Sequence, residues 1–211
     1  MEFSYDDEQN GLREAVSGLL ARAYGDSEQR RRVVAADPGF DEKTWSRLAE
    51  MGVLGLPFAE ADGGMGAGPV EVAIVAEEIG RVLAPEPFIE AVVLAGGLID
   101  AVGTDAQKGE LLEAVAGGTS LPSFAHAEIG TRWEPGARSV TATEDGGRWL
   151  LSGVKEPVPH GARADVLVVS AVAAGATRLF LVRGDAEGLS RSGYRNHDGT
   201  RSARVLSLIH I

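Results

Sequence analysis

A chain of 211 residues with 44% hydrophobic and 24% charged content is long enough to bury a core in one large or two small domains, which argues against a disordered protein. A net charge of −11, from 31 acidic and 20 basic residues, argues against a nucleic-acid partner, and the absence of cysteine removes disulfides, thiolate metal sites and cysteine nucleophiles together. The acidic, amphipathic start lacks a secretory pattern, and the most apolar stretch, residues 88–102, is interrupted by Glu90, Gly96, Gly97 and Asp100, so no membrane span and a cytoplasmic location are expected.

In chain order, apolar residues at helical spacing predict helices over about residues 6–23, 27–36, 41–51, 69–83, 87–102 and 105–116. Arg30, Arg31 and Arg32 point in three directions on the second of these and read as a solvated face. Trp45, Leu48 and Met51 form the apolar stripe of the third, Gly52 is placed to end it, and Pro57 prevents its resumption. The following loop holds Gly63, Gly64, Gly66 and Gly68. It lacks the lysine and the preceding strand of a phosphate-binding loop, so it reads as a close-packing turn. Pro69 suits a first helical turn, and Val72, Val75, Ile79 and Val82 form one stripe.

Beyond Gly117-Gly118 the period drops toward two. Residues 139–143, 148–152, 166–171 and 179–182 read as strands, and Glu144-Asp145-Gly146-Gly147-Arg148 reads as a hairpin connection. The expected fold class is α+β, with an all-helical domain over residues 1–118 followed by an antiparallel β-barrel-like domain over residues 119–211. No metal site is expected.

This order of features resembles the acyl-CoA dehydrogenase family, flavoenzymes that desaturate acyl-CoA thioesters at the α,β carbons. The resemblance covers almost the whole chain. It opens on Phe3-Ser4-Tyr5-Asp6-Asp7-Glu8-Gln9, where the family has a Ser or Thr capping the first helix behind an aromatic residue. It continues through the glycine loop, Pro85 and Pro87, and into a β segment ending near Ser207.

Two stretches are similar to those that face FAD in the family. Phe124-Ala125-His126-Ala127-Glu128-Ile129-Gly130 resembles aromatic-x-x-Thr-Glu-Pro-Gly. Trp149 to Gly161 resembles aromatic-x-(Leu/Ile)-(Asn/Ser)-Gly-x-Lys-x-x-Ile-x-x-Gly, with Gly153 and Lys155 matching. The resemblance therefore implies cofactor contacts at Phe124, His126, Ala127, Pro157 and Pro159. It also marks departures, because the family places hydroxyls at the positions of Ala127 and Pro159 and often an aromatic at Pro157. Alanine and proline side chains donate no hydrogen bond, and proline has no amide proton either. The backbone amides of residues 125–128, His126 and His160 remain as replacement donors. Glu128 matches a position with a backbone-bonding role rather than the α-proton base, so no catalytic residue is expected in this chain. Trp133 stands near the small residue that approaches the acyl-CoA; it is the substrate-side candidate, with packing beside Arg132 and Pro135 as the competing reading.

In the family the base, the rest of the flavin site and the oligomer interface come from a C-terminal helical bundle. The expected activity is FAD-dependent α,β-dehydrogenation of an acyl-CoA, of which this chain is a fragment inactive alone, with an electron-transfer flavoprotein as acceptor and a homo- or hetero-oligomer as the assembly. The alternative is a non-catalytic partner subunit of a heteromeric acyl-CoA dehydrogenase with a degenerate flavin site. Leu208-Ile209-His210-Ile211 does not continue the family's turn and reads as coming from a truncated or foreign reading frame.

Overall fold

The computed structural model describes residues 4–131 and 134–210, residues 207–210 by their backbone alone. It divides into two compact units, Met1–Thr119 and Ser120–Ile211.

The first unit is helical. Helix α1 (Asp7–Tyr24) starts at Asp6, whose side chain accepts from the Gln9 amide at 2.8 Å while Gln9 Oε1 accepts from the Asp6 amide. The cap is thus Asp6 and not Ser4; Phe3 lies outside the described residues. Helices α2 (Ser27–Ala35) and α3 (Glu42–Glu50) begin behind Asp26 and Asp41, each accepting from the amide two residues on. Trp45 and Leu48 of α3 are buried, whereas Met51 stays exposed; Gly52 follows in the left-handed conformation with φ 75°. Within the triple-arginine run, Arg31 pairs with Glu28, and Arg30 Nε donates to the Leu83 carbonyl at 2.6 Å, so only part of that run is a solvated face.

The glycine loop folds back on the turn Val53–Gly55 and the residues after it. Met65, Gly66 and Ala67 donate their amides to the carbonyls of Gly55, Phe58 and Leu56 at 2.8–2.9 Å. A Cβ on Gly64 would lie 2.1 Å from the Phe58 carbonyl oxygen, so no other residue fits. These amides are consumed internally, as a packing turn requires.

Helix α4 (Pro69–Val82) packs on α1. Its buried face carries Ile74, Val75 and Ile79, and also Glu78, which accepts from Arg13 and Arg81, each at 3.1 Å. The expected helix 87–102 is two pieces: a wide π-helical stretch, Phe88–Gly96, and α5 (Gly97–Val102). Helix α6 (Asp105–Ala116) is started by a reciprocal pair between Thr104 and Gln107.

The second unit is a curled seven-stranded sheet, ordered β1-β4-β2-β3-β7-β6 with β5 on β4. The strands are β1 (Pro122–Ala125), β2 (Thr141–Asp145), β3 (Arg148–Pro159), β4 (Val166–Ala173), β5 (Ala176–Arg183), β6 (Leu189–Arg195) and β7 (Arg201–His210). It is mixed rather than antiparallel, because β1 runs parallel to β4 and β2 meets β4 in parallel at Thr141 and Val172. The expected hairpin joins β2 and β3 through Gly146 and Gly147, both at positive φ, which suits a two-residue turn between twisted strands. The buried face is lined by Val140, Leu151, Val158, Leu167, Val169, Ala171, Val182, Ala203 and Val205.

Strand β3 matters most for the site. At Gly153 φ is 144°, and a Cβ there would lie 2.8 Å from Val140 Cγ2. Between Lys155 and Val158 the pairing with β7 slips by one residue, and Pro157 sits in that bulge, where its missing amide costs no ladder bond. Gly153→Ala therefore combines backbone strain with a steric clash; it is expected to cost about 2–4 kcal/mol in chemical denaturation of the β unit, and a change under about 0.5 kcal/mol would show that the strand tolerates the side chain.

Candidate functional site

The two stretches singled out in the sequence lie side by side. Ser123 Oγ donates to the Pro159 carbonyl at 2.5 Å, the Glu156 amide donates to the Ala127 carbonyl at 2.9 Å, and Lys155 Nζ donates to the His126 carbonyl at 2.9 Å. Phe124, His126, Ala127, Pro157 and Pro159 are thereby brought to one region of the β unit. Trp133 lies outside the described residues.

Under this region is a buried ion pair. Lys155 Nζ stands 2.7 Å from Glu128 Oε1, both side chains being almost inaccessible to water. The ammonium also donates to Ser170 Oγ at 3.0 Å. Glu128 accepts further from the Ser139 amide at 2.7 Å, the Ser139 hydroxyl at 2.6 Å, and the amides of Arg138 and Val140 at 3.3–3.4 Å. Burial alone would raise the Glu128 carboxyl, but the hydrogen bonds from Lys155 and Ser139 and the Lys155 charge outweigh it and hold the group down at about 2. Burial lowers the Lys155 ammonium, opposed by Glu128. A carboxylate saturated in this way is a poor proton acceptor and has the backbone-anchoring role anticipated for it.

A second chain of bonds fixes His126. The Glu134 carbonyl can only accept, so His126 Nε2 donates to it, at 3.0 Å. In the neutral ring Nδ1 then accepts from the Ser170 hydroxyl at 2.9 Å, the same hydroxyl that accepts from Lys155. The ring stacks on Phe124, with centroids 5.0 Å apart. His126, one of the candidate replacement donors, is therefore not spare, since both of its ring nitrogens are engaged within the chain. His160 is buried, its amide donating to the Arg201 carbonyl at 2.9 Å, and burial, with a smaller contribution from Arg201, pushes its ring down to about 4.

The side-chain complement does not fit the polar edge of an isoalloxazine. The Ala127 and Pro159 side chains offer no donor, Pro159 has no amide proton either, the carbonyls of both are already accepting, and exposed Pro157 is not an aromatic. Phe124, Ala127 and Pro159 are half-buried, and Pro157 and Ile129 are exposed. Each missing donor to a buried polar ring edge costs about 1–3 kcal/mol of binding.

Ser170, Ser139 and Ser123 were not singled out from sequence. Ser170 carried a usable signal: a hydroxyl inside Val-Leu-Val-Val-Ser-Ala-Val-Ala is a buried polar group that must find partners.

Residues 6–119 match the acyl-CoA dehydrogenase N-terminal domain family, and residues 123–209 the middle domain family of the same enzymes. The chain belongs to the acyl-CoA dehydrogenase family. A probable acyl-CoA dehydrogenase, fadE25 of Mycobacterium leprae, is 30% identical over 199 residues, which is 89% of this chain and 49% of that protein. Acyl-CoA dehydrogenase FadE27 of Mycobacterium tuberculosis is 31% identical over 74% of this chain and 40% of its own length. The chain thus spans under half the length of these two curated relatives. Among solved structures, a variant of the Tcur3481-Tcur3483 steroid ACAD is 32% identical with TM-score 0.88, covering 97% of this chain and 56% of that one. The ChsE4-ChsE5 complex from Mycobacterium tuberculosis shares the fold, with TM-score 0.88 at 24% identity, covering 100% of this chain and 57% of that one.

Replacing Lys155 by Met strands a buried carboxylate and is expected to cost about 3–5 kcal/mol in urea denaturation at neutral pH. Because the Glu128 carboxyl is held below its ordinary value, its contribution is complete above about pH 4.5 and is lost as pH falls toward about 2. Glu128→Gln should flatten that acid limb; an unchanged slope would deny the carboxylate its role.

Proposed function

We propose that this chain serves a flavin-dependent acyl-CoA dehydrogenase, which removes hydrogen from the α and β carbons of an acyl-CoA thioester, and that it does so as the partner subunit that does not itself bond the flavin. Residues 1–118 are then its N-terminal helical domain and residues 119–211 belong to its middle domain. The observation that carries the reading is the state of the two flavin-facing stretches: the family's hydroxyl positions are Ala127 and Pro159, Lys155 and Glu128 are spent on each other, and the His126 ring is spent on Ser170 and the Glu134 carbonyl. Two family structures of this fold, the ChsE4-ChsE5 complex and the Tcur3481-Tcur3483 steroid ACAD, are named as pairs of chains, which supports a heteromeric assembly.

In this reading the chain shapes a neighbour's acyl-CoA site, and an electron-transfer flavoprotein takes the electrons from the flavin-bearing neighbour. No helix among the described residues is long and apolar enough to cross a membrane, and a cysteine-free acidic chain suits the cytoplasm. The reading in which this chain carries its own FAD differs in one countable quantity. In the assembly purified from its natural host, the partner reading predicts one flavin for every two family chains, and none on this chain once separated. One flavin per copy of this chain would overturn it.

A further inference from the structure

Glu86 stands between Pro85 and Pro87, in the short link from α4 to the wide Phe88–Gly96 stretch, and is 4% exposed. One of its carboxyl oxygens, Oε1, accepts from the Tyr24 hydroxyl at the end of α1 and from the Asp41 amide, at 3.3 Å, at the start of α3. The other, Oε2, is buried without a hydrogen-bond partner among the described residues. Glu86 also anchors the next element directly, because its carbonyl accepts from the Phe88 amide at 2.8 Å.

The surroundings do not welcome a charge there. From α1 the facing group is Tyr24, an uncharged phenol. From α3 it is Asp41, itself an acid, whose carboxylate is committed to the Lys43 amide and the Thr44 hydroxyl. From α2, Arg30 reaches this part of the chain but donates to the Leu83 carbonyl, three residues upstream. A carboxylate with one bare oxygen in such a pocket loses solvation that two donors on the other oxygen do not replace. A neutral carboxyl keeps both contacts at lower cost.

We propose that Glu86 is a protonation-controlled latch of the helical unit: when neutral it fastens the link at 85–87 onto the ends of α1 and α3, and when ionised it leaves the pocket and frees the first turn of the Phe88–Gly96 stretch. Burial, the largest influence, pushes this carboxyl up to about 7, against the pull of the Tyr24 bond. The latch is therefore complete below about pH 4.5 and is lost as pH rises through about 7, the reverse of the Glu128 dependence.

Hydrogen–deuterium exchange of the whole chain at pH 5.5 and pH 8, corrected for intrinsic exchange, reads the latch. Peptides covering residues 84–96 are expected to lose protection by at least about tenfold at the higher pH. In Glu86→Gln, which keeps the shape without the charge, protection should be the same at both pH values. Equal protection of the wild-type segment at both pH values, or an unaltered pH response in Glu86→Gln, would overturn the proposal. A carbon-13 carboxyl titration of the unsubstituted chain tests it without any variant: titration of Glu86 near neutrality supports the latch, and titration in the ordinary glutamate range removes it.

Discussion

The β unit is organised around one buried charge pair. Lys155 from β3 and Glu128 from the segment after β1 meet at 2.7 Å, where neither has water to fall back on. Each charge must then be bonded in full, and the surrounding chain is arranged to do so. Glu128 draws in the amides of residues 138–140, and Lys155 draws in the His126 carbonyl and Ser170. Such a pair adds little net stability over an apolar replacement, but once present it fixes the position of every segment that bonds it. The two stretches that form the candidate site are held next to each other by this means.

The same economy explains why the site is poor in donors. The hydroxyl of Ser170 serves Lys155 and His126 together, and the ring of His126 passes the chain on to Glu134. Nothing polar on these side chains is left over for a ligand. Half-buried Ala127 and Pro159 and exposed Pro157 are the positions at which the family would place hydroxyls and an aromatic. The charge of the chain is also divided unevenly: residues 1–119 carry 22 acidic and 9 basic side chains, residues 120–211 carry 9 and 11. The helical unit alone thus carries −13, and the β unit, at +2, is slightly basic.

Much of this was legible in the sequence. Helical spacing located the six helical segments, the Gly146-Gly147 turn located a hairpin, and the ordered run from the first helix to Gly161 identified the family, with Glu128 in its anchoring role. The misses have physical causes. Strand β1 is short, buried and parallel, so it has no alternation to read. Strand β6 is a mostly exposed edge of Leu-Ser-Arg-Ser-Gly-Tyr-Arg, with little apolar content on either face. The π-helical opening of the 88–96 stretch has the same apolar spacing as an α-helix. His126 was open to misreading because a histidine's role is set by what both nitrogens touch, and Ser170 and Glu134 lie 44 and 8 residues away.

In the proposed partner role, the loss of flavin bonding comes down to two hydroxyls, replaced by Ala127 and Pro159. The most direct measurement restores them: Ala127→Thr with Pro159→Thr in the complete assembly, with flavin affinity of this chain followed by fluorescence. Two regained hydrogen bonds predict a gain of at least about tenfold in affinity. An affinity unchanged by both hydroxyls, or strong flavin binding by the unaltered chain, would contradict the account.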